Sequence, residues 1–133
     1  YKHSHFCGCV PYQEIQRIIQ DSDVVIFAEA LEGKEANVAK LSFSTKITDY
    51  LSNGKCILAI GKDYIAPIDY FTRNDSALVA CDVDSIAIRV QEIIEKPSLI
   101  NEYGSKAFEC ARRNHDKHVI AERFVRVMKK AAR

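Results

Sequence analysis

The chain is 133 residues long, 47% apolar and 28% charged, the balance of a single water-exposed globular domain. At that length it can bury about two-thirds of the surface that its unfolded chain exposes. Lys plus Arg number 19 against 18 Asp plus Glu, so no global field recruits nucleic acid or acidic lipid, and no nucleic acid is expected as a partner.

No apolar run approaches the ~20 residues needed to span a bilayer. Five cysteines (Cys7, Cys9, Cys56, Cys81, Cys110) are an odd number with no framework spacing. Three of them sit in apolar, strand-like runs, where reduced Cys acts as a small hydrophobe. A reducing, cytoplasmic setting is expected. The first residue is Tyr rather than Met, so the chain is expected to be part of a longer one.

In chain order, "SHFCGC" (4–9) is expected as a first strand. "PYQEIQRIIQ" (11–20) follows as a helix, with Pro11 tolerated in the first turn and Ile15, Ile18 and Ile19 at helical spacing. "DVVIFAE" (23–29) is a continuous β-branched run, the pattern of a strand covered on both faces. Residues 30–43 have no clean period and read as a long loop, often a functional feature in a compact domain.

"STKITDYLSNGKCILAIG" (44–61) is then a helix followed at once by a second buried strand. Ser44 is the expected N-cap and Gly54 the left-handed residue past the helix end. Residues 66–75 suggest a short helix and "SALVAC" (76–81) a third apolar strand. Helices are expected over 84–95, 97–113 and 116–132. The βαβαβ order predicts one α/β domain, a Rossmann-like parallel sheet of about four strands flanked by helices with a helical tail. So short a sheet suggests further strands belonging before Tyr1.

Within the helix at 44–53, Ile47, Tyr50 and Leu51 form an apolar stripe, while Thr45, Lys46 and Asp49 fall elsewhere. Ligands of parallel α/β sheets gather at the carboxyl ends of the strands, where this helix begins. Its free N–H groups and Lys46 suit an anion, and Asp49 suits vicinal hydroxyls such as those of ribose. The competing account is an exposed Lys–Asp pair worth a few tenths of a kcal/mol. On chemistry alone that plainer account comes first.

Other features carry less. His3, His5, Cys7 and Cys9 alternate, but strand residues two apart lie about 7 Å apart, too spread to close on one zinc. No metal site is expected. Asn114 and Asp116 are explained as helix caps, and His115 and His118 are assigned no catalytic role. The last helix sets Arg123, Arg126, Lys129, Lys130 and Arg133 opposite Val119, Ile120, Phe124, Val127 and Met128. It is expected to pack on its own domain, with an acidic membrane as the alternative.

The segment "STKITDYLSNGKCILAIG" resembles the stretch of family-4 glycosyltransferases that runs Pro-Ser-Lys-x-x-Glu-Tyr-x-x-x-Gly-Lys-Pro-Ile-Leu. Lys46, Tyr50, Gly54, Lys55, Ile57 and Leu58 match outright, with Thr45 for Ser, Asp49 for Glu and Cys56 for Pro. "FCGCVPYQEIQRIIQDSDVVIF" upstream, and "YFTRNDSALVAC" with Asn114-His115 downstream, are similar to the family's flanking motifs. The family comprises retaining sugar transferases of the GT-B fold, common in bacterial surface polysaccharide synthesis.

The resemblance implies a C-terminal domain that binds a nucleotide diphosphate sugar as donor, with no cofactor. Asp49 takes the place of the acid that holds the nucleotide ribose. Ser44, Thr45 and Lys46 open the helix that faces the diphosphate. Cys9 and Val10 lie where the family's backbone meets the nucleobase.

Where many members carry a glutamate eight positions before this acid, the chain has Leu41. Glu29, Glu32 and Glu35 do not match that spacing, so no sugar-contacting acid and no catalytic residue is assigned. The family's basic pair for the diphosphate, and its acceptor-binding N-terminal domain, have no counterpart here. The chain alone is therefore not expected to turn over. An acceptor glycan or lipid-linked sugar would be met through that other domain, in a parent peripheral to the inner membrane face. Exposed sheet edges suggest a dimer.

The rival readings are a receiver-like or other binding module and a nucleotide-sugar epimerase. Asp21 and Asp23 precede their strand, which counts against a receiver, and no epimerase acids can be placed.

Overall fold

The computed structural model describes residues 2–33 and 40–132. Its elements are α1 (Tyr12–Asp21), β1 (Val24–Ala28), α2 (Lys46–Ser52), β2 (Cys56–Ile60), α3 (Ala66–Asn74), β3 (Leu78–Ala80), α4 (Val83–Glu95), α5 (Ser98–Asn114) and α6 (Lys117–Ala131). The strands form one parallel sheet in the order β1-β2-β3. Val24 stands opposite Cys56 and Ala28 opposite Ile60, while Leu58 and Ile60 face Leu78 and Ala80. This is the expected Rossmann-like α/β arrangement, with one strand fewer.

The missing strand is the one expected at residues 4–9. A strand exists through its ladder of hydrogen bonds. This stretch joins no sheet, Phe6 is 94% exposed, and Gly8 breaks the extended path at φ +67°. The alternation of His3, His5, Cys7 and Cys9 therefore has no strand face to share.

Strand pleating divides the core into two layers. Val25, Phe27, Ile57 and Ala59 point to one side, against Ile47 and Leu51 of α2, Ile68 and Phe71 of α3, and Ala107, Cys110 and Ala111 of α5. Each large side chain in that layer contributes about 1.5–3 kcal/mol of burial. Cys56, Leu58 and Leu78 point to the other side, toward Ile93 of α4 and toward Ile100 and Tyr103 of α5. That second layer is thinner, and no side chain of α4 is fully buried.

α1 is more loosely held than its apolar spacing promises, because only Ile19 of its three isoleucines is buried. It is tied down at its C-terminal end, where Lys55 Nζ donates to the carbonyls of Gln20 and Ser22.

α6 corrects an expectation. Asp116 caps it, Oδ1 accepting the N–H groups of His118 and Val119 at 2.8 and 3.1 Å. Yet none of its residues is buried, and Phe124 is 65% exposed. Every residue of α6 is exposed, so its apolar stripe covers no part of the core built from the sheet, α2, α3 and α5. No helix among the described residues is long and apolar enough to cross a membrane.

The three strands end on the same side of the sheet, and the loops that leave them are bonded together there. Glu29 N–H donates to Ile60 O at 2.9 Å, Gly61 N–H to Ala80 O at 3.1 Å, and Ala66 N–H to Lys40 O at 2.9 Å. α2 and α3 both start from this end.

Candidate functional site

α2 is short because its two ends are set by side chains and a glycine. Thr45 takes the cap position in helical geometry without a side-chain bond. Ser44, one residue earlier than the observed cap, supplies the capping oxygen: Oγ accepts Lys46 N–H at 3.3 Å. At the other end Gly54 adopts φ +61°. Gly54 N–H returns to Leu51 O at 3.0 Å and Lys55 N–H to Tyr50 O at 3.3 Å. That paired closure is the glycine-dependent stop that the sequence predicts.

Between these ends Ile47 and Leu51 are wholly buried, which turns Asp49 toward the outer side of the helix. Thr45 and Lys46 are exposed, and Ser44 and Asp49 are half-buried. Among the described residues no ion pair joins Lys46 to Asp49, and neither side chain is paired elsewhere. The exposed Lys–Asp pair that would account for both residues without a ligand is therefore not formed.

Asp49 opens into a groove of about 330 Å³ between α2 and α5. Thr48 and Ser52 share its α2 wall, and Phe108, Ala111 and Arg112 line the α5 side, closed by His115 and Asp116. The guanidinium of Arg112 lies on Glu109, through Nε at 2.9 Å and Nη2 at 2.8 Å.

His115 is held from behind. Its Nε2 is 2.8 Å from Tyr70 Oη, which also receives Asn114 Nδ2 at 3.2 Å and lies 3.3 Å from Cys110 Sγ. Asn114 Nδ2 further bonds Asn74 Oδ1 at 3.0 Å. Phe43, from the loop before α2, meets Tyr70 edge-on at 5.2 Å and stacks on His115 at 6.5 Å. Burial, then the contact with Cys110, pushes the Tyr70 phenol up to about 12. Burial lowers the His115 imidazole below its ordinary value, so it is neutral at pH 7.

A family model described as glycosyl transferase-like matches residues 1–128, nearly the whole chain. The chain belongs to that family. No curated protein and no solved structure matches it.

Within this glycosyl transferase-like domain, the sequence-predicted residues fall into two groups. Ser44, Thr45, Lys46 and Asp49 lie together on and before α2, beside the loops at the carboxyl ends of the strands. Cys9 and Val10 lie before α1, and no hydrogen bond among the described residues joins them to α2. Glu29 and Glu32 lie in the loop after β1, and Glu35 is outside the described residues.

A further hollow, about 600 Å³, is at the opposite end of the sheet among Ser22, Asp23, Gly54, Cys56 and Gly104, away from all of these residues. The sequence reading missed Arg112 as a groove neighbour of Asp49 and Tyr70 and Phe43 as neighbours of His115, and it left His115 without a role. Tyr70 and His115 are 45 residues apart in the chain, so no local spacing signals their contact.

Proposed function

We propose that this domain binds the nucleotide diphosphate sugar donor of a retaining, family-4, GT-B glycosyltransferase acting in surface polysaccharide synthesis. The observation that carries the reading is Asp49. Its carboxylate is half-buried, unpaired and open to a groove, on the helix that follows β1. An acid left without a protein partner in such a place is suited to a ligand's hydroxyl groups.

In this reading Asp49 accepts hydrogen bonds from the ribose and fixes the nucleotide's position. Lys46 provides a point charge for the diphosphate, whose developing charge on departure is what such a site must stabilise. α2 has only two turns, so Lys46 rather than the helix dipole carries most of that role. Cys9 and Val10 face the base. The acceptor, a glycan or lipid-linked sugar, is met by another part of the enzyme.

The test is a titration of UDP, GDP, ADP and dTDP into the chain, followed by amide NMR. One nucleotide is expected to bind and to shift residues 9–10 and 44–49. Asp49→Ala is expected to weaken that binding about 10- to 100-fold, the worth of a charge-assisted hydrogen bond, with the remaining spectrum intact. Silence from all four nucleotides, in this chain and in a longer chain that contains it, would sink the reading.

A further inference from the structure

We propose that His115, locked by Tyr70, is a second contact for the ribose at Asp49 and makes the site select ribose over 2′-deoxyribose. The inference rests on the reading of Asp49 as the ribose acceptor. It adds a residue from a different element, 66 positions further along the chain.

The groove's chemistry suits a neutral polyol better than a phosphate. It holds two carboxylates, Asp49 and Asp116, against one guanidinium, and Arg112 has already committed two nitrogens to Glu109. An anion would meet net negative surroundings there, whereas hydroxyls can donate to the carboxylates and accept from the cation. Phe108, 53% exposed, and Ala111 give an apolar wall for the carbon face of a sugar ring. The volume of about 330 Å³ is at the small end of the ~300–1,000 Å³ usual for ligand sites.

The hydrogen-bond network then settles what His115 presents. Asn114 can only donate through Nδ2, so Tyr70 Oη accepts from it. The single phenolic proton is left for His115 Nε2, a better acceptor than the neighbouring Cys110 sulfur. A neutral imidazole that accepts at Nε2 carries its proton on Nδ1. Nδ1 has no partner among the described residues. Phe43, stacked on the ring, fixes its plane.

A vicinal diol in the groove therefore meets complementary groups: one hydroxyl donates to Asp49 and the other accepts from His115 Nδ1–H. Loss of the 2′-hydroxyl would leave one of these unsatisfied, which is how a polar site rejects a deoxy analogue. Tyr70 acts through His115 and is a positioning residue.

The experiment measures affinities of UDP, GDP and ADP and of their 2′-deoxy forms, for the unmodified chain and for Asp49→Ala, His115→Phe, His115→Gln and Tyr70→Phe. The ribonucleotide that binds is expected to be preferred about tenfold or more over its deoxy form. His115→Phe keeps the stack on Phe43 and should bring the ratio to about one, lowering ribonucleotide affinity alone. His115→Gln serves if the Phe variant fails to fold. Tyr70→Phe should reduce the ratio without abolishing it, an effect that loss of packing alone would not produce.

An unchanged ratio in both His115 variants, with binding lost in Asp49→Ala, overturns the inference and leaves the donor reading intact. Equal binding of ribo and deoxy forms by the unmodified chain overturns it also. If no nucleotide binds, in this chain or in a longer chain that contains it, the donor reading fails and the inference falls with it.

Discussion

Gly104 lies so close to Gly54 that a Cβ built on it would stand 2.5 Å from the Gly54 carbonyl oxygen. This is where α5 crosses the turn between α2 and β2, and it sets the depth at which α5 carries Ala107 and Ala111 against α2. Gly104→Ala must push the helix away from the turn, and backbone offers no flexible end to give way. A loss of about 1–3 kcal/mol in urea unfolding is expected, as for other overpacked sites. Gly54→Ala has more room, with Gly104 O at 3.4 Å, but must hold φ +61°. Its expected cost is about 1–2 kcal/mol. A Gly104→Ala midpoint equal to that of the unmodified chain would refute the close approach.

The five thiols should separate by burial. Cys7 and Cys9 are exposed, Cys81 is half-buried, and Cys56 and Cys110 are buried. Burial also pushes the Cys56 thiol up to about 11, which removes the reactive thiolate at neutral pH. An aromatic disulfide reagent followed by mass spectrometry should label two cysteines quickly, Cys81 slowly, and the last pair only in denaturant. Rapid labelling of Cys56 in the folded chain would contradict the two-layer core.

Two aspartate caps should give opposite results. Asp82 Oδ1 accepts Ser85 N–H at 2.7 Å, and Ser85 Oγ accepts Asp82 N–H at 3.1 Å, a reciprocal box that starts α4 over the thinner core layer. Asp82→Ala should lower the global urea midpoint. Asp116→Ala removes a comparable cap from α6, which buries nothing. Its effect should appear as faster amide exchange within 117–131, with the global urea midpoint unmoved. A shifted midpoint would show that α6 does contribute to the core.

How much of this could be read beforehand depended on the range of the interaction involved. The runs at 55–61 and 76–81 announced β2 and β3 because a strand covered on both faces needs every residue apolar. The run at 23–29 announced β1 in the same way, but its expected cover on both faces is not found: Val25 and Phe27 are buried while Ile26 and Ala28 on the other face are exposed, because β1 is an edge strand. The stop at Gly54 was legible because a left-handed position favours glycine. The stretch 4–9 misled because its composition suits a strand, while a strand also requires a neighbour that composition does not name. The stripe on α6 misled similarly, since it calls for a partner without saying which. At the candidate site, Lys46 and Asp49 were visible from their place in a strand–helix sequence. The imidazole across the groove was not, because Tyr70 and Phe43 reach it only in the folded chain.

β1 is an edge of the sheet, and Ile26 on it is 59% exposed. An apolar edge with unpaired backbone groups is a template for another strand. The chain is expected to self-associate through β1 as concentration rises, and Ile26→Lys should return it to monomer. Light scattering over a concentration series checks this, and a monomer throughout would exclude it.

Acid should destabilise the domain in two steps, and the first belongs to His115. Its folded pKa is lowered by burial, so as pH falls through the ordinary value of about 6.5 the unfolded chain takes up a proton that the folded chain resists. Stability contributed by the neutral ring is thus full above 6.5 and declines below it, down to the lowered folded value. The second step belongs to the cap of α4. Asp82 is lowered chiefly by the Ser85 N–H it accepts, so its contribution is present above about 3.8 and is lost as pH falls through its folded value. Asp116 is lowered in the same way, but its protonation frays α6 without moving the midpoint. Urea midpoints between pH 7.5 and 4.5 should fall in the unmodified chain and stay flatter in His115→Gln, which cannot take the proton. Below that range the two should fall together, because the Asp82 cap is common to both. Superimposable curves between pH 6.5 and 4.5 would mean that the ring titrates alike in the folded and unfolded chain, and that the enclosure by Phe43 and Tyr70 is not maintained in solution.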